Sequence, residues 1–237
     1  MVTGKKIAVY TAIMGGVDSL QDPLIVTPGI DYICFTDNKK IKSKVWQIRH
    51  IENKEIESRK KAREIKLFPH IYLSGYDYSI WVDGNILILK DIGALISEFI
   101  SKDIKISTFK HFKRNCIYEE ALTCTILKKD SLENIYRQIK FCVDNSYPAQ
   151  FGLAETNVMF RKHFDPIVIE FMEKWWNCIL NNSIRDQLSF NLIAYIMNVE
   201  IKYLKGNARF DVDHFKCKEH KKISLKDLLN KLIFSKL

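Results

Sequence analysis

The chain has 237 residues, 47% hydrophobic and 27% charged, enough for a real core in one large α/β domain or two small ones. No run of about 18 apolar residues occurs, so no membrane-spanning helix is expected. The formal net charge of +9 permits acidic partners: nucleotides, anionic lipid or nucleic acid.

Residues 5–13 (KKIAVYTAI) read as a buried strand ending at Gly15 and Gly16. Residues 31–37 (DYICFTD) form a second apolar strand and 45–51 a third. Residues 55–68 are helical in composition, and Pro69 closes them. Residues 78–89 (YSIWVDGNILIL) are the most strand-like stretch, with a glycine break in the middle. A short helix over 92–100 and a strand over 104–109 follow. Leu132, Ile135, Tyr136, Ile139 and Val143 sit at helical spacing within 131–143. A loop over 148–152 leads to a strand over 156–160, helices over 165–180 and 184–197, and a short strand over 199–203. Strands alternate with helices through the first half. This predicts an α/β fold whose central sheet is mainly parallel, with helices on both faces. Residues 1–215 are read as one domain and 216–237 as a basic amphipathic tail.

Such sheets bind ligands beyond the carboxyl ends of their strands. The polar signals fall there: Gly15, Gly16 and Asp18 after the first strand, Asp37 and Asn38 after the second, Asp83 and Asn85 at the break. Asp83 and Asn85 stand two apart around Gly84, so both can turn towards one point. Hard cations such as Mn²⁺ or Mg²⁺ take such oxygen donors, although an Asx-turn uses the same residues. Arg59, Arg63 and Lys66 lie at i, i+4 and i+7, a cationic helix stripe able to hold a pyrophosphate. A solvated helix face would look the same.

In 183–190 (SIRDQLSF), Asp186 and Gln187 open a helix for which Ser183 is a good N-cap, and Asp186 could instead face a sugar as base or clamp. The polar stretch 111–120 (HFKRNCIYEE) offers His111, Arg114, Glu119 and Glu120 as substrate contacts, or is a surface loop running into a helix. Glu155 and Asn157 alternate along a strand and share a face, where they could bind sugar hydroxyls. His214, in 211–214 (DVDH), could complete a metal site begun at Asp83 and Asn85.

Taken in order, YTAIMGGVDSL, DYICFTDN, SRKKAREIKLFPH, YDYSIWVDGNI, RNCIYEEA, GLAETNVMFR and RDQLSF resemble a known family. It is the glycosyltransferase-like domain shared by plant mucilage and pectin-related proteins and bacterial polysaccharide-cluster proteins. The likeness covers about residues 7 to 200. It implies a GT-A-like fold using a nucleotide-sugar donor, a UDP-sugar first among them, and a glycan or lipid-linked acceptor. By that resemblance Tyr10, Thr11, Ala12 and Asp37 touch the nucleoside and Arg63 the diphosphate or sugar. Asp83 and Asn85 form the metal motif for Mn²⁺ or Mg²⁺, here D-G-N rather than D-x-D, and Asp186 lies near the donor sugar. For an inverting transfer, Asp186 or Glu120 would take the acceptor proton.

Six cysteines include no C-x-x-C pair, and most lie in apolar surroundings as reduced thiols do, so a cytoplasmic location is expected. In the tail, Leu225, Leu228, Leu229, Leu232 and Ile233 follow a helical stripe among lysines. It reads as a helix packed on its own domain or on a second subunit, or as one lying on an anionic membrane surface. Two rival classes fit less well. A sugar-nucleotide nucleotidyltransferase usually places Arg and Lys in the loop after the first strand, and MGGVDSL has neither. A nucleic-acid module needs aromatic platforms, but the aromatic residues lie in apolar strands and at Trp175 and Trp176, so no specific nucleic acid is expected.

Overall fold

The computed structural model describes residues 4–16, 18–52, 57–210 and 213–219. Seven strands pair into one sheet: β1 (Ile7–Ile13), β2 (Asp31–Thr36), β3 (Gln47–His50), β4 (Tyr78–Val82), β6 (Ile106–Lys110), β7 (Ala154–Arg161) and β8 (Lys202–Leu204). Their order is β3-β2-β1-β4-β7-β6-β8. All pairings are parallel except those of β7, which runs against both β4 and β6. A mainly parallel sheet must be covered on both faces, and β1, β4 and β7 are buried along their whole length.

One face carries α1 (Ser58–Leu67), α6 (Pro166–Asn181) and α7 (Gln187–Ile196), whose Ile65, Phe171, Trp175 and Phe190 pack with Tyr10 and Trp81. The other face carries α3 (Gly93–Ser101), with Ile92, Ile96 and Phe99 against Val9, Ile80 and Phe160. A third cluster joins α4 (Ile117–Ile126) and α5 (Leu132–Asp144) to α7 through Ile117, Cys124, Ile135, Leu188 and Leu192.

The expected fold class is what the chain adopts, with local differences. Pro69 opens a one-turn helix, α2 (Pro69–Tyr72), because proline suits a first helical position. The expected helix near 184 begins at Gln187. Ser183 does not cap it: its hydroxyl donates to Asp130 Oδ2 at 2.6 Å. The polar stretch 111–120 runs into α4, with Glu119 and Glu120 in its first turn. Gly84 does split the fourth strand. After it β5 (Ile86–Ile88) leaves the sheet and pairs with β9 (Phe215–Cys217). The domain boundary expected after residue 215 therefore falls inside a strand, and the described fold continues through it.

β7 decides where the site can form. Because it runs backwards, its first residues lie at the same sheet edge as the last residues of β1 and β4. Val82 pairs with Val158, and Asp83 N donates to Asn157 O at 2.8 Å. Beneath that edge, Trp175 Nε1 donates to Asp186 O and Ser189 Oγ, both at 3.1 Å. Replacing Trp175 with alanine removes a fully buried ring and both bonds. We expect a loss of about 3–5 kcal/mol, read as an earlier urea midpoint.

Candidate active site

A cleft of about 370 Å³ opens at this edge. Its first arm is built by the end of β1, the β4–β5 turn and α1. Ala12, Asp18, Arg59, Arg63, Asp83 and Gly84 line it. A Cβ on Gly84 would lie 3.2 Å from Asp18 Oδ2 and from Ile13 Cγ1, so the turn is filled at that point. The cationic stripe of α1 descends into the protein. Arg59 is exposed at the mouth, Arg63 is part-buried, and Lys66 is wholly buried at the floor.

Lys66 organises that floor. Its Nζ donates to Asp186 Oδ2 at 2.6 Å and Thr156 Oγ1 at 3.1 Å, and lies 3.8 Å from Asp83 Oδ1. Thr156 Oγ1 donates to the same Asp186 oxygen at 3.1 Å, and Arg63 Nε is 3.4 Å from it. Burial alone would raise the Asp186 carboxyl. Arg63, Lys66 and Arg185 outweigh burial and hold it far below the usual carboxylate range. Burial pulls Lys66 down against the pull of Asp186 and Asp83. Lys66 thus fixes two carboxylates and is not free to grip a diphosphate. Asp186 is a clamped anion, ill matched to proton transfer.

The second arm comes from the β6–α4 connection, α4, the start of β7 and the stretch before β9. Glu120 is buried, its Oε2 accepting from Arg114 Nε at 2.6 Å, with Arg114 Nη2 2.5 Å away. His111 Nδ1 accepts from Arg114 N at 3.0 Å and Lys113 N at 3.3 Å, leaving Nε2 as the donor nitrogen. Burial pushes its pKa down to about 4, with Arg114, Arg209 and Lys129 adding and Glu120 opposing. Glu155 Oε1 accepts from Arg209 Nε at 2.6 Å, while its Oε2 is buried without a partner. Burial raises this carboxyl, Arg209 opposes, and Asp83 and Glu120 push further up. Asn157 is 6% exposed, lines the cleft, and has neither amide atom hydrogen-bonded. Gln187 lines the cleft beside Asp186.

Several expected contacts are placed elsewhere. Tyr10 is core: its hydroxyl accepts from Arg161 and donates to Lys66 O at 2.7 Å, and burial pushes its pKa up to about 12. Thr11 is buried below the cleft. Both oxygens of Asp37 accept from Gly15 N, at 3.1 and 3.0 Å, holding a turn whose φ of +65° suits glycine. Glu119 is exposed and accepts from Gln150 Nε2 at 2.6 Å, away from the cleft. His214 lines a different cavity and pairs with Asp213 at 2.8 Å, so it does not complete a metal site at Asp83. Asn85 lines the cleft, and its Nδ2 donates to Lys218 O at 3.0 Å; of its two amide atoms only the oxygen has the chemistry of a metal ligand.

Three cations of the cleft were missed. Arg185 stood inside SIRDQLSF, hidden beside the more suggestive Asp186. Lys129 follows α4, and Arg209 lies in a stretch without periodic pattern; its guanidinium stacks 5.3 Å from the Phe112 ring. Charged residues in loops carry no spacing signal.

Asp83 alone makes a lean metal site. Its Oδ1 accepts from Trp81 Nε1 at 2.7 Å, and its side chain is 29% exposed in the cleft. Among the described residues no cluster of three His, Cys, Asp or Glu side chains could hold an ion. The donor set fits a divalent cation held by one carboxylate and completed by substrate phosphates, as Mg²⁺ sites often are.

The profile of the TOD1/MUCI70 glycosyltransferase-like domain matches residues 1–227. The chain belongs to that family. It is 25% identical over 166 residues to the Arabidopsis thaliana protein named probable hexosyltransferase MUCI70, a match covering 66% of this chain and 28% of that one. The apo structure of the bifunctional glycosyltransferase WbbM superposes with a TM-score of 0.49 at 10% identity, over 86% of this chain and 39% of that one. The chain thus spans well under half the length of either relative. Membership makes it a glycosyltransferase-like domain and agrees with the resemblance of its motifs.

Burial pushes His111 from the usual histidine value of 6.5 down to about 4. Its folded pKa is depressed, so the stability it contributes is whole above about pH 6.5 and is lost as pH falls towards 4. The urea midpoint should drop across that window, and His111→Gln should make the drop smaller, with His163, also pushed down to about 4 by burial, supplying part of what remains.

Proposed function

We propose that this domain moves a sugar from a nucleotide-diphosphate donor to the hydroxyl of a glycan or lipid-linked acceptor. The reading is carried by one observation: at the carboxyl edge of the sheet, Asp83, Arg59 and Arg63 line one cleft, with Lys66 beneath. In this reading the first arm takes the donor and the second the acceptor.

Arg59 and Arg63 bind the donor diphosphate, bidentate donors being suited to phosphate oxygens. Burial would lower Arg63, but Asp186 and Asp83 outweigh it, so the guanidinium stays charged as the bond to the anomeric carbon breaks. Asp83, with Asn85 through its amide oxygen, would hold Mn²⁺ or Mg²⁺. A bound cation would neutralise negative charge growing on the leaving diphosphate. Asp186, clamped by Lys66 and Thr156, orients the donor sugar with Gln187.

The proton of the attacking hydroxyl goes to Glu155. Its Oε2 is buried and unpaired, and its pKa is raised, which matches a base better than Asp186 or the Arg114-bound Glu120. Asn157 and the Nε2–H of His111 are left to bind sugar hydroxyls. A UDP-sugar is the first donor to test, the protein acting in the cytoplasm with a lipid-linked acceptor at the membrane.

Asp83→Ala and Glu155→Gln test the assignment together. Asp83→Ala should abolish sugar transfer and Mn²⁺ dependence; Glu155→Gln should lower kcat by about 10²–10⁴ while nucleotide affinity holds. Full turnover in either variant refutes the role given to it.

The membrane reading rests on the tail, most of which lies outside the described residues. Lys216 belongs to β9, so the truncation is placed after Glu219. The whole chain should sediment with phosphatidylserine vesicles and release them at about 0.5 M salt, and the truncated chain should stay in the supernatant. Equal sedimentation of both removes the tail from membrane binding.

A further inference from the structure

The two arms of the cleft differ in charge. In the first, the carboxylates of Asp18, Asp83 and Asp186 balance Arg59, Arg63 and Lys66. A neutral site of that kind suits a metal–diphosphate complex, whose own charges cancel. The second arm does not balance. Glu120 and Glu155 face Arg114, Lys129, Arg185 and Arg209, an excess of two positive charges.

Two of those cations have defined duties. Arg114 neutralises Glu120, and Arg209 neutralises Glu155. Lys129 and Arg185 form no hydrogen-bonded ion pair with a described residue, although Arg185 adds to the positive field that keeps Asp186 ionised. Lys129 Nζ is 3.9 Å from Glu120 Oε1, too far for a hydrogen bond. Arg185 Nε is buried with no hydrogen-bond partner. Their placement is built into the fold. Asp130, next to Lys129, accepts from Ser183 Oγ at 2.6 Å and from Ile184 N at 3.0 Å, next to Arg185. That pair of bonds ties the α4–α5 loop to the loop before α7, so two neighbouring loops deliver two cations to one end of the cleft. A buried donor left unmet is costly, and a bound anion would meet it. Asn157, buried in the same cleft with both amide atoms unmet, adds neutral donor and acceptor capacity.

We infer that Lys129 and Arg185 form an anion subsite in the acceptor arm, and that the acceptor carries an acidic group, a carboxylate or a phosphate, beside the hydroxyl that is glycosylated. The inference rests on the transferase reading and adds the chemical class of its acceptor. A carboxylate would mark an acidic glycan, and a phosphate a lipid-phosphate-linked one.

The test uses the whole chain saturated with UDP, so that the first arm is filled. Inorganic phosphate and methyl glucuronoside are titrated calorimetrically, with methyl glucoside as the neutral control. At least one acid should bind about tenfold more tightly than the control, and Lys129→Gln and Arg185→Gln should each weaken it by about tenfold, the effect of one charged hydrogen bond. Preference for phosphate or for glucuronoside names the source of the charge. Three results overturn the subsite: equal binding of methyl glucoside, acid binding unchanged in both variants, or an equal loss of UDP affinity, which would assign both cations to the donor. Failure of UDP to bind the unaltered protein strikes the transferase reading itself and is separate from these.

Discussion

The cleft depends on one buried ion pair, Lys66 with Asp186. Lys66 sits at the end of α1, Asp186 just before α7, Thr156 in β7 and Asp83 at the end of β4, and the ammonium touches or approaches all three partners. Taking both charges out of water is expensive, and apolar pairs of similar volume often serve stability as well or better. What the pair supplies is position. It locks a helix end, a helix start and two strand ends into one rigid floor, and pre-set charges of this kind are what polar reactions need. Arg161 lies deeper still, wholly buried, its guanidinium spent on Lys66 O and the Tyr10 hydroxyl. The floor therefore stands on a second layer of fixed positive charge, with Trp81 and Trp175 packed 5.8 and 5.6 Å from the ammonium.

The reversed direction of β7 provides the other half of the arrangement. A wholly parallel sheet would bring only strand ends to this edge. Running backwards, β7 delivers a strand beginning, so Glu155, Thr156 and Asn157 enter the cleft from a rigid element instead of a loop. Rigid placement explains how Glu155 and Asn157 can keep buried, unmet polar atoms. The neighbouring strand helps: β6 is irregular between Thr108 and Phe109, and Thr108 Oγ1 donates to Glu155 O at 3.0 Å and Val158 O at 2.7 Å.

Much of this was legible in the residues. The apolar runs of β1, β2 and β4 and the glycine break after Asp83 marked both the sheet and the edge where the cleft opens, because continuous burial of parallel strands leaves an unmistakable composition. The helical period of α5 was equally plain. The site was legible by type more than by orientation. The spacing of Arg59, Arg63 and Lys66 put them on one face, yet spacing cannot tell how deep that face descends, and Lys66 proved to be floor rather than grip. Tyr10 was hidden for a similar reason: alternation along a strand buried on both faces does not say which side meets a ligand. His214 looked like a ligand because of its chemistry, whereas the pairing of β9 with β5 turned it to another cavity. Arg185, Lys129 and Arg209 reach the cleft through tertiary contacts among loops, which no local pattern encodes.

The ends of the sheet have their own consequence. Its outer strands, β3 and β8, are four and three residues long, and they carry Arg49, His50 and Lys202. Short, positively charged borders resist the edge-to-edge pairing through which exposed strands join separate molecules into aggregates. A domain with so apolar an interior can thus remain dispersed while one rim of its sheet stays open for chemistry.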